Sequence, residues 1–191
     1  GLKPSYGWKT ASVDHYTADI FVVIFSGGDY VYAARPTITG MIDIYSGAVI
    51  SMSISLLPPS RRSVAKVMRD CVRRHDRLPS ELIVDRGAEF KSVYFASLLA
   101  DLEVDLSLRP SAHPRFGSEI EGLFGDFKKM WLSSRPGNTA DYKEVRSVDR
   151  SFAPEKHAVL KPYDLHRELL AFIEWRNNKP VCPGGYSPSY L

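Results

Sequence analysis

The apolar residues change their spacing near residue 60, and that change limits the possible fold more than any other feature of the chain. From Thr10 to Phe25, "TASVDHYTADIFVVIF" is β-branched and apolar, and "SGGD" (26–29) supplies a hairpin turn. "RPTITGMIDIYS" (35–46) and "AVISMSISLL" (48–57) follow, the second alternating apolar residues with serine at a period of two. Three strands with tight connections predict an antiparallel meander. Beyond Pro58 and Pro59, Val64, Val67, Met68, Cys71 and Val72 recur at helical spacing from Ser63 onward, and Pro79 ends the segment.

The helix is followed by "LIVDRGAEFKS" (82–92), in which Leu82, Ile83 and Val84 run into an aspartate and a turn at Arg86 and Gly87. A short apolar run bounded by a turn reads as a buried strand, which places Asp85 at its carboxyl end. A helix over 92–102, a short strand over 104–108, a loop "RPSAHPRFGS" (109–118) and a helix over 118–132 complete a β-β-β-α-β-α-β-α order. That order implies a mixed sheet covered by helices. The stretch 133–154 has no sustained period and reads as an extended arm or long loop. A last helix over 163–178 carries Leu165, Leu169, Phe172 and Trp175 on one side, and a turn-rich tail ends the chain. The expected division is a core over 1–135, starting near residue 10, and an arm plus helix over 136–191 that belongs to the core or packs on it.

The chain has 191 residues, 44% of them hydrophobic, enough for one domain with its own core. Its formal charge of +3 is too small to announce a polyanionic partner. The charge is suggestive only where it clusters, in "RRSVAKVMRDCVRRHDR" (61–77), where eight of seventeen residues are Lys, Arg or His and a solvated helix face is the alternative reading. Cys71 and Cys182 are too few for a disulfide framework and lack ligand spacing, and Cys71 falls on the apolar side of its helix. No membrane span or signal peptide is read, so a cytoplasmic location is expected. The lack of a methionine before Gly1 suggests a piece of a longer protein.

Asp14 in the first strand, Asp85 at the end of the fourth and Glu121 near the start of the third helix could meet at one point while remote in sequence. Converging carboxylates repel, and a bound cation is one resolution. Oxygen-only ligands favour Mg²⁺ or Mn²⁺, and a pair of such ions suits phosphoryl displacement. Each acid also has a duller account. Asp14 could be an edge-strand residue, Asp85 a turn aspartate bonding its own backbone, and Glu121 the return partner of a capping box "SEIE" (118–121) begun by Ser118. Glu119 and Glu121 point about 200° apart on a helix, so only one can face a site.

Thirty-five residues separate Asp85 from Glu121, and with "DRGAEF" and "EIEGLFG" this resembles the D,D(35)E signature of retroviral integrases and DDE transposases. "VDHYT" and "RPTITGMIDIYSGAVISMSIS" resemble the first three strands of that family. "SSRPGNT" and "FIEWRNNKP…GGYSPSYL" are similar to elements of the large bacterial transposases of the TnsB, TniA and Mu type. The resemblance covers roughly residues 10 to 191. It implies an α/β, ribonuclease H-like fold with a mixed five-stranded sheet flanked by helices. It further implies Asp14, Asp85 and Glu121 as catalytic ligands of two Mg²⁺ ions, replaceable by Mn²⁺, and DNA 3′-end nicking and strand transfer as the reactions. The partners it implies are element ends and target DNA, further copies of the chain assembled on DNA, and a partner ATPase with other transposition proteins, in the bacterial nucleoid. A cellular nuclease on the same fold and a non-catalytic DNA-binding or assembly module are the alternatives. Lys128, two turns after Glu121, and Arg86, Arg109, His113 and Arg115 are candidate phosphate contacts. The chain departs from the family pattern at Arg86, Gly122 and Gly47, where Asn, Arg and Arg are usual.

Overall fold

A computed structural model describes residues 6–85, 93–109, 118–139, 153–179 and 187–188. Five strands form one sheet: β1 (Thr10–Thr17), β4 (Thr37–Asp43), β5 (Val49–Ser55), β6 (Glu81–Val84) and β7 (Asp105–Leu108), in the spatial order β5-β4-β1-β6-β7. β1, β4 and β5 are antiparallel neighbours, as the meander reading requires, while β6 joins β1 and β7 joins β6 in parallel. The chain is therefore α/β with a mixed five-stranded sheet.

The first strand differs from the sequence reading. It stops at Thr17 instead of running to Phe25, because Ala18 turns to donate to the Pro36 carbonyl. The hairpin turn is real, but it joins β2 (Val22–Ser26) to β3 (Asp29–Ala34) in a separate two-stranded sheet. Gly27 and Gly28 both have positive φ, 63° and 95°, which explains why glycines occupy that turn.

Helices cover both sheet faces. α1 (Arg61–His75) buries Ser63, Val64, Val67, Met68 and Cys71. It stops ahead of Pro79 because Asp76 adopts left-handed φ and donates its N–H to the Val72 carbonyl. α1 and α2 (Val93–Asp101) pack with Ala11, Val13, Met41, Leu82 and Val84 on one face. α3 (Ser118–Phe127) and α4 (Pro162–Asn178) pack with Ile38, Ile42 and Met52 on the other. After Phe127 the helix widens into a π-turn over Lys128–Leu132, closed by Ser133 N–H to the Lys128 carbonyl at 3.0 Å. Alternation along β1 and β6 follows from this layering: odd-numbered residues of β1 face α1, and Ser12, Asp14 and Tyr16 face α3. Among the described residues no helix is long and apolar enough to cross a membrane.

Candidate functional site

Strand register brings the two aspartates together. Thr10, Ala11 and Ser12 pair in parallel with Glu81, Leu82 and Ile83, so Asp14 follows two residues after the last pair on β1, and Asp85 follows β6 directly at the same end of the sheet. Adjacent strands lie about 4.8 Å apart. Leu82 and Val84 belong to the α1 face, so Ile83 and Asp85 turn to the α3 face, as Asp14 does. On the far side of β6, Arg109 N–H donates to the Val84 carbonyl at 2.7 Å, so Arg109 continues the row next to Asp85.

Helix α3 approaches this row through a glycine. Gly40 is the cross-strand partner of Asp14. A Cβ there would stand 3.4 Å from Phe124 Cζ and 3.7 Å from Ile120 Cδ1, so the first turns of α3 lie directly over β4 at the level of Asp14. Tyr16, one step along the same face, stacks on Phe124 with ring centroids 5.1 Å apart. Glu121, next to the buried Ile120, projects from this helix into solvent. Among the described residues it makes no hydrogen bond, so the return bond of a capping box with Ser118 is not formed. The Ser118 and Glu119 side chains lie outside the described residues, as do Arg86, His113 and Arg115.

The side chains of the three acids do not form a cage. Among the described residues no three His, Cys, Asp or Glu side chains are close enough together to hold a metal ion. The reason at Asp14 is visible: its Oδ1 accepts the His15 N–H at 2.8 Å, and its Oδ2 faces Arg109 Nη2 at 3.3 Å. That contact is long and single, where a structural arginine–carboxylate pair is short and often bidentate. Arg109 Nε and Ser12 Oγ, on the same face, are buried and without hydrogen-bond partners among the described residues. A guanidinium thus occupies the place where a cation would meet Asp14. The donors the three acids would supply are oxygen only, the chemistry a hard divalent ion prefers.

Lys128 is engaged elsewhere. Its ammonium pairs with Asp19, which also receives Arg35 Nη2 at 2.8 Å, the Tyr16 hydroxyl at 3.0 Å and Thr139 Oγ1 at 3.2 Å. Burial works to raise the Asp19 carboxyl, but hydrogen bonds from Lys128 and Tyr16 and the charges of Lys128 and Arg35 outweigh it and hold Asp19 below the ordinary carboxylate range. The same burial, with the Asp19 charge, pushes the Tyr16 hydroxyl well above its ordinary value. Asp19 and Arg35 were not singled out from sequence, because their partners come from segments up to 120 residues away. Gly40 had a signal, since a glycine inside a strand often marks close approach of another element.

Two of the departures from the family pattern have local causes or none. Gly47 has φ +71°, a conformation side chains rarely adopt, and its carbonyl accepts from Arg176 Nη1 at 2.8 Å. Gly122 faces open space, and nothing around it requires a glycine.

Residues 12–137 match the TnsB C-terminal domain family. The chain is 24% identical over 142 residues to the transposase for transposon Tn552 of Staphylococcus aureus, a match spanning 71% of this chain and 28% of that protein's length. The fold is shared with the catalytic core domain of BIV integrase, with TM-score 0.56, 15% identity and coverage of 96% of this chain and 93% of that one. It is shared equally with the HTLV-2 integrase catalytic core domain solved with magnesium, with TM-score 0.56, 14% identity and coverage of 100% and 98%. A chain of the simian T-cell lymphotropic virus intasome superposes with TM-score 0.64 at 14% identity, all of this chain on 55% of that one. These likenesses identify the architecture as ribonuclease H-like, and the match over residues 12–137 makes the chain a member of the TnsB C-terminal domain family.

Proposed function

We propose that this chain is the catalytic core of a DNA transposase, acting by divalent-metal-dependent phosphoryl transfer to nick the 3′ ends of an element and join them to target DNA. The observation that supports the reading is the parallel pairing of β1 with β6, which brings the strand that carries Asp14 and the strand that Asp85 follows next to each other in the sheet. With Glu121 from α3 they form a three-carboxylate set suited to two Mg²⁺ ions or to Mn²⁺. Such ions, when bound, activate an attacking oxygen and offset charge on the leaving one. The chain's own residues hold and orient. Gly40 lets α3 come down beside Asp14, and the β1–β6 pairing fixes the aspartates. Arg109, Arg86, His113 and Arg115 neutralise phosphates of bound DNA next to the acids, and Lys128, once released from Asp19, does the same. Phosphate contacts of this kind position DNA without reading its sequence, so end recognition belongs to other parts of the protein that carries this chain. Self-assembly on paired DNA ends, a partner ATPase and a nucleoid location belong to the same proposal, as does the division into a core over 1–135 and an integral arm and helix over 136–191.

The test uses the whole protein containing this chain, its element ends, a target plasmid and Mg²⁺. Asp85→Asn is expected to abolish strand transfer while leaving end binding in place. Undiminished joining by that variant overturns the reading. A second reading, a non-catalytic DNA-binding or assembly module, is favoured by the Asp14–Arg109 contact, which already neutralises one acid. It predicts a melting temperature indifferent to Mn²⁺, whereas a working metal site stabilises the fold as ion is added.

A further inference from the structure

The basic segment 61–77 plays no part in the site described above, and it lies on the opposite face of the sheet. Arg62, Lys66, Arg69 and Arg73 are all exposed on α1. At 100° per residue they fall within an arc of about 60°, one above another on a single helix side, and span about 16 Å of axis. The neighbouring acid, Asp70, is already engaged, since it pairs with Arg74 Nε at 2.7 Å and accepts the Met52 N–H at 3.3 Å. Among the described residues none of the four cations has an ion-pair partner. Like charges stacked at i, i+3 and i+4 repel one another. A chain gains nothing in folding by lining them up.

The row overhangs a groove. Its volume is about 410 Å³, its floor is the outer edge of β5 from Met52 to Ser55 with Leu56 beyond it, and its walls are Lys66, Arg69, Asp70 and Arg73 of α1 and Pro162, Tyr163 and His166 of α4. β5 is the terminal strand of the sheet, so the groove runs along a true edge. An extended acidic peptide added to that edge would need the outward N–H of Met52, which the Asp70 carboxylate has taken. A phosphodiester backbone needs no free edge. It needs cations repeated along a line at spacings near its own, and the row supplies one roughly every 4.5–6 Å. Tyr163, 72% exposed at the rim, offers a flat ring to a sugar or base.

We infer that the groove between α1, the β5 edge and the start of α4 is a second nucleic-acid site that holds the phosphate backbone of duplex DNA through Lys66, Arg69 and Arg73, with Arg62 continuing the row beyond it. It stands on these cations alone and does not depend on whether Asp14, Asp85 and Glu121 bind metal. Because the groove follows the β5 edge while the acids lie at β1 and β6, with β4 between, one copy of the chain can hold two separate duplex segments.

The test is fluorescence anisotropy with a labelled 20-base-pair duplex of arbitrary sequence, titrated with the 191-residue chain across a range of salt without divalent metal. The triple variant Lys66→Gln/Arg69→Gln/Arg73→Gln is expected to lose affinity at least tenfold. Its plot of log affinity against log salt should be less steep by about 2.7, the release of three phosphate contacts at about 0.9 each. Lys156→Gln, exposed and not part of the groove lining, is the control and should bind as the unaltered chain does. Thermal melts of both variants guard against misfolding, and all substituted side chains are on the surface. Unchanged affinity and slope in the triple variant overturn the proposal. So does capture of a glutamate-rich peptide by the groove with no binding of duplex.

Discussion

Asp19 gathers a lysine, an arginine, a tyrosine and a threonine from four separate segments, and its ionisation is tied to the fold through them. Its folded carboxyl titrates below the unfolded value, so it stabilises the chain at pH above that unfolded value, and the contribution disappears as pH falls through the folded one. Asp19→Asn should therefore lower unfolding free energy by about 1.5–3 kcal/mol at pH 7, the range for hydrogen bonds to a charged group. In urea titrations the difference between variant and parent should shrink on acidification below about pH 4; a difference that persists at pH 2 would contradict this. Arg109 poses a different question at the same scale. It is the cation on Asp14, in a pair whose side chains are 19% and 21% exposed. Arg109→Gln should reduce stability by about 1 kcal/mol or less. If the guanidinium holds the place of a metal ion, the variant should also show a larger Mn²⁺-induced rise in melting temperature than the parent. An equal rise would mean that Arg109 and the ion do not compete.

Helix α3 and the segment after it depend on two glycines in different ways. Gly40 is a spacing device, because any side chain larger than a methyl group there would push against Phe124 and Ile120 where they settle over β4. A methyl group there meets its neighbours at ordinary contact distance, so Gly40→Ala should be near neutral. Gly40→Val overpacks the site, lifts α3 off the sheet and should cost about 1–3 kcal/mol in urea unfolding. Gly137 is conformational as well as steric, with φ +84° and a would-be Cβ only 2.8 Å from Ala158 Cα. Its carbonyl accepts Phe21 N–H at 2.9 Å, and Asn138 bridges Ile20. The "RPGNT" element, noticed in the sequence only as a resemblance, is thus the strap that ties the end of α3 to the β1–β2 connection. Gly137→Ala should destabilise by about 1–3 kcal/mol through strain at that one bond pair, measurable as a lower urea midpoint with an unchanged slope.

Much of the sheet could be read before any coordinates, because the period-two alternation of 48–57 marks a strand and the apolar run before Asp85 reports burial directly. The break at Thr17 could not, since β-branched residues continue across it and the competing bond comes from Pro36, a partner no local pattern announces. The same limit applied to the site. The resemblance to the D,D(35)E signature named Asp14, Asp85 and Glu121, but the Arg109 contact and the Asp19 cluster depend on which segments the topology brings together. The last helix was legible as amphipathic but not as essential, and here the architecture makes its own prediction. Phe172 is fully buried, with ring centroids 5.1 Å from Phe127 and 5.3 Å from Trp131, and Asn177 of the same helix both donates to and accepts from the backbone of Val49. α4 therefore supplies one wall of the core under α3 as well as a bond to the sheet. Phe172→Ala should cost about 3–5 kcal/mol, a large part of the roughly 5–15 kcal/mol that holds a domain together. If α4 is integral, the loss is global: unfolding stays a single transition, and backbone amides of β1 and β6 lose hydrogen-exchange protection along with those of α4. If α4 were an appendage resting on a self-sufficient core, the variant would release the α4 amides alone and leave β1 and β6 protected.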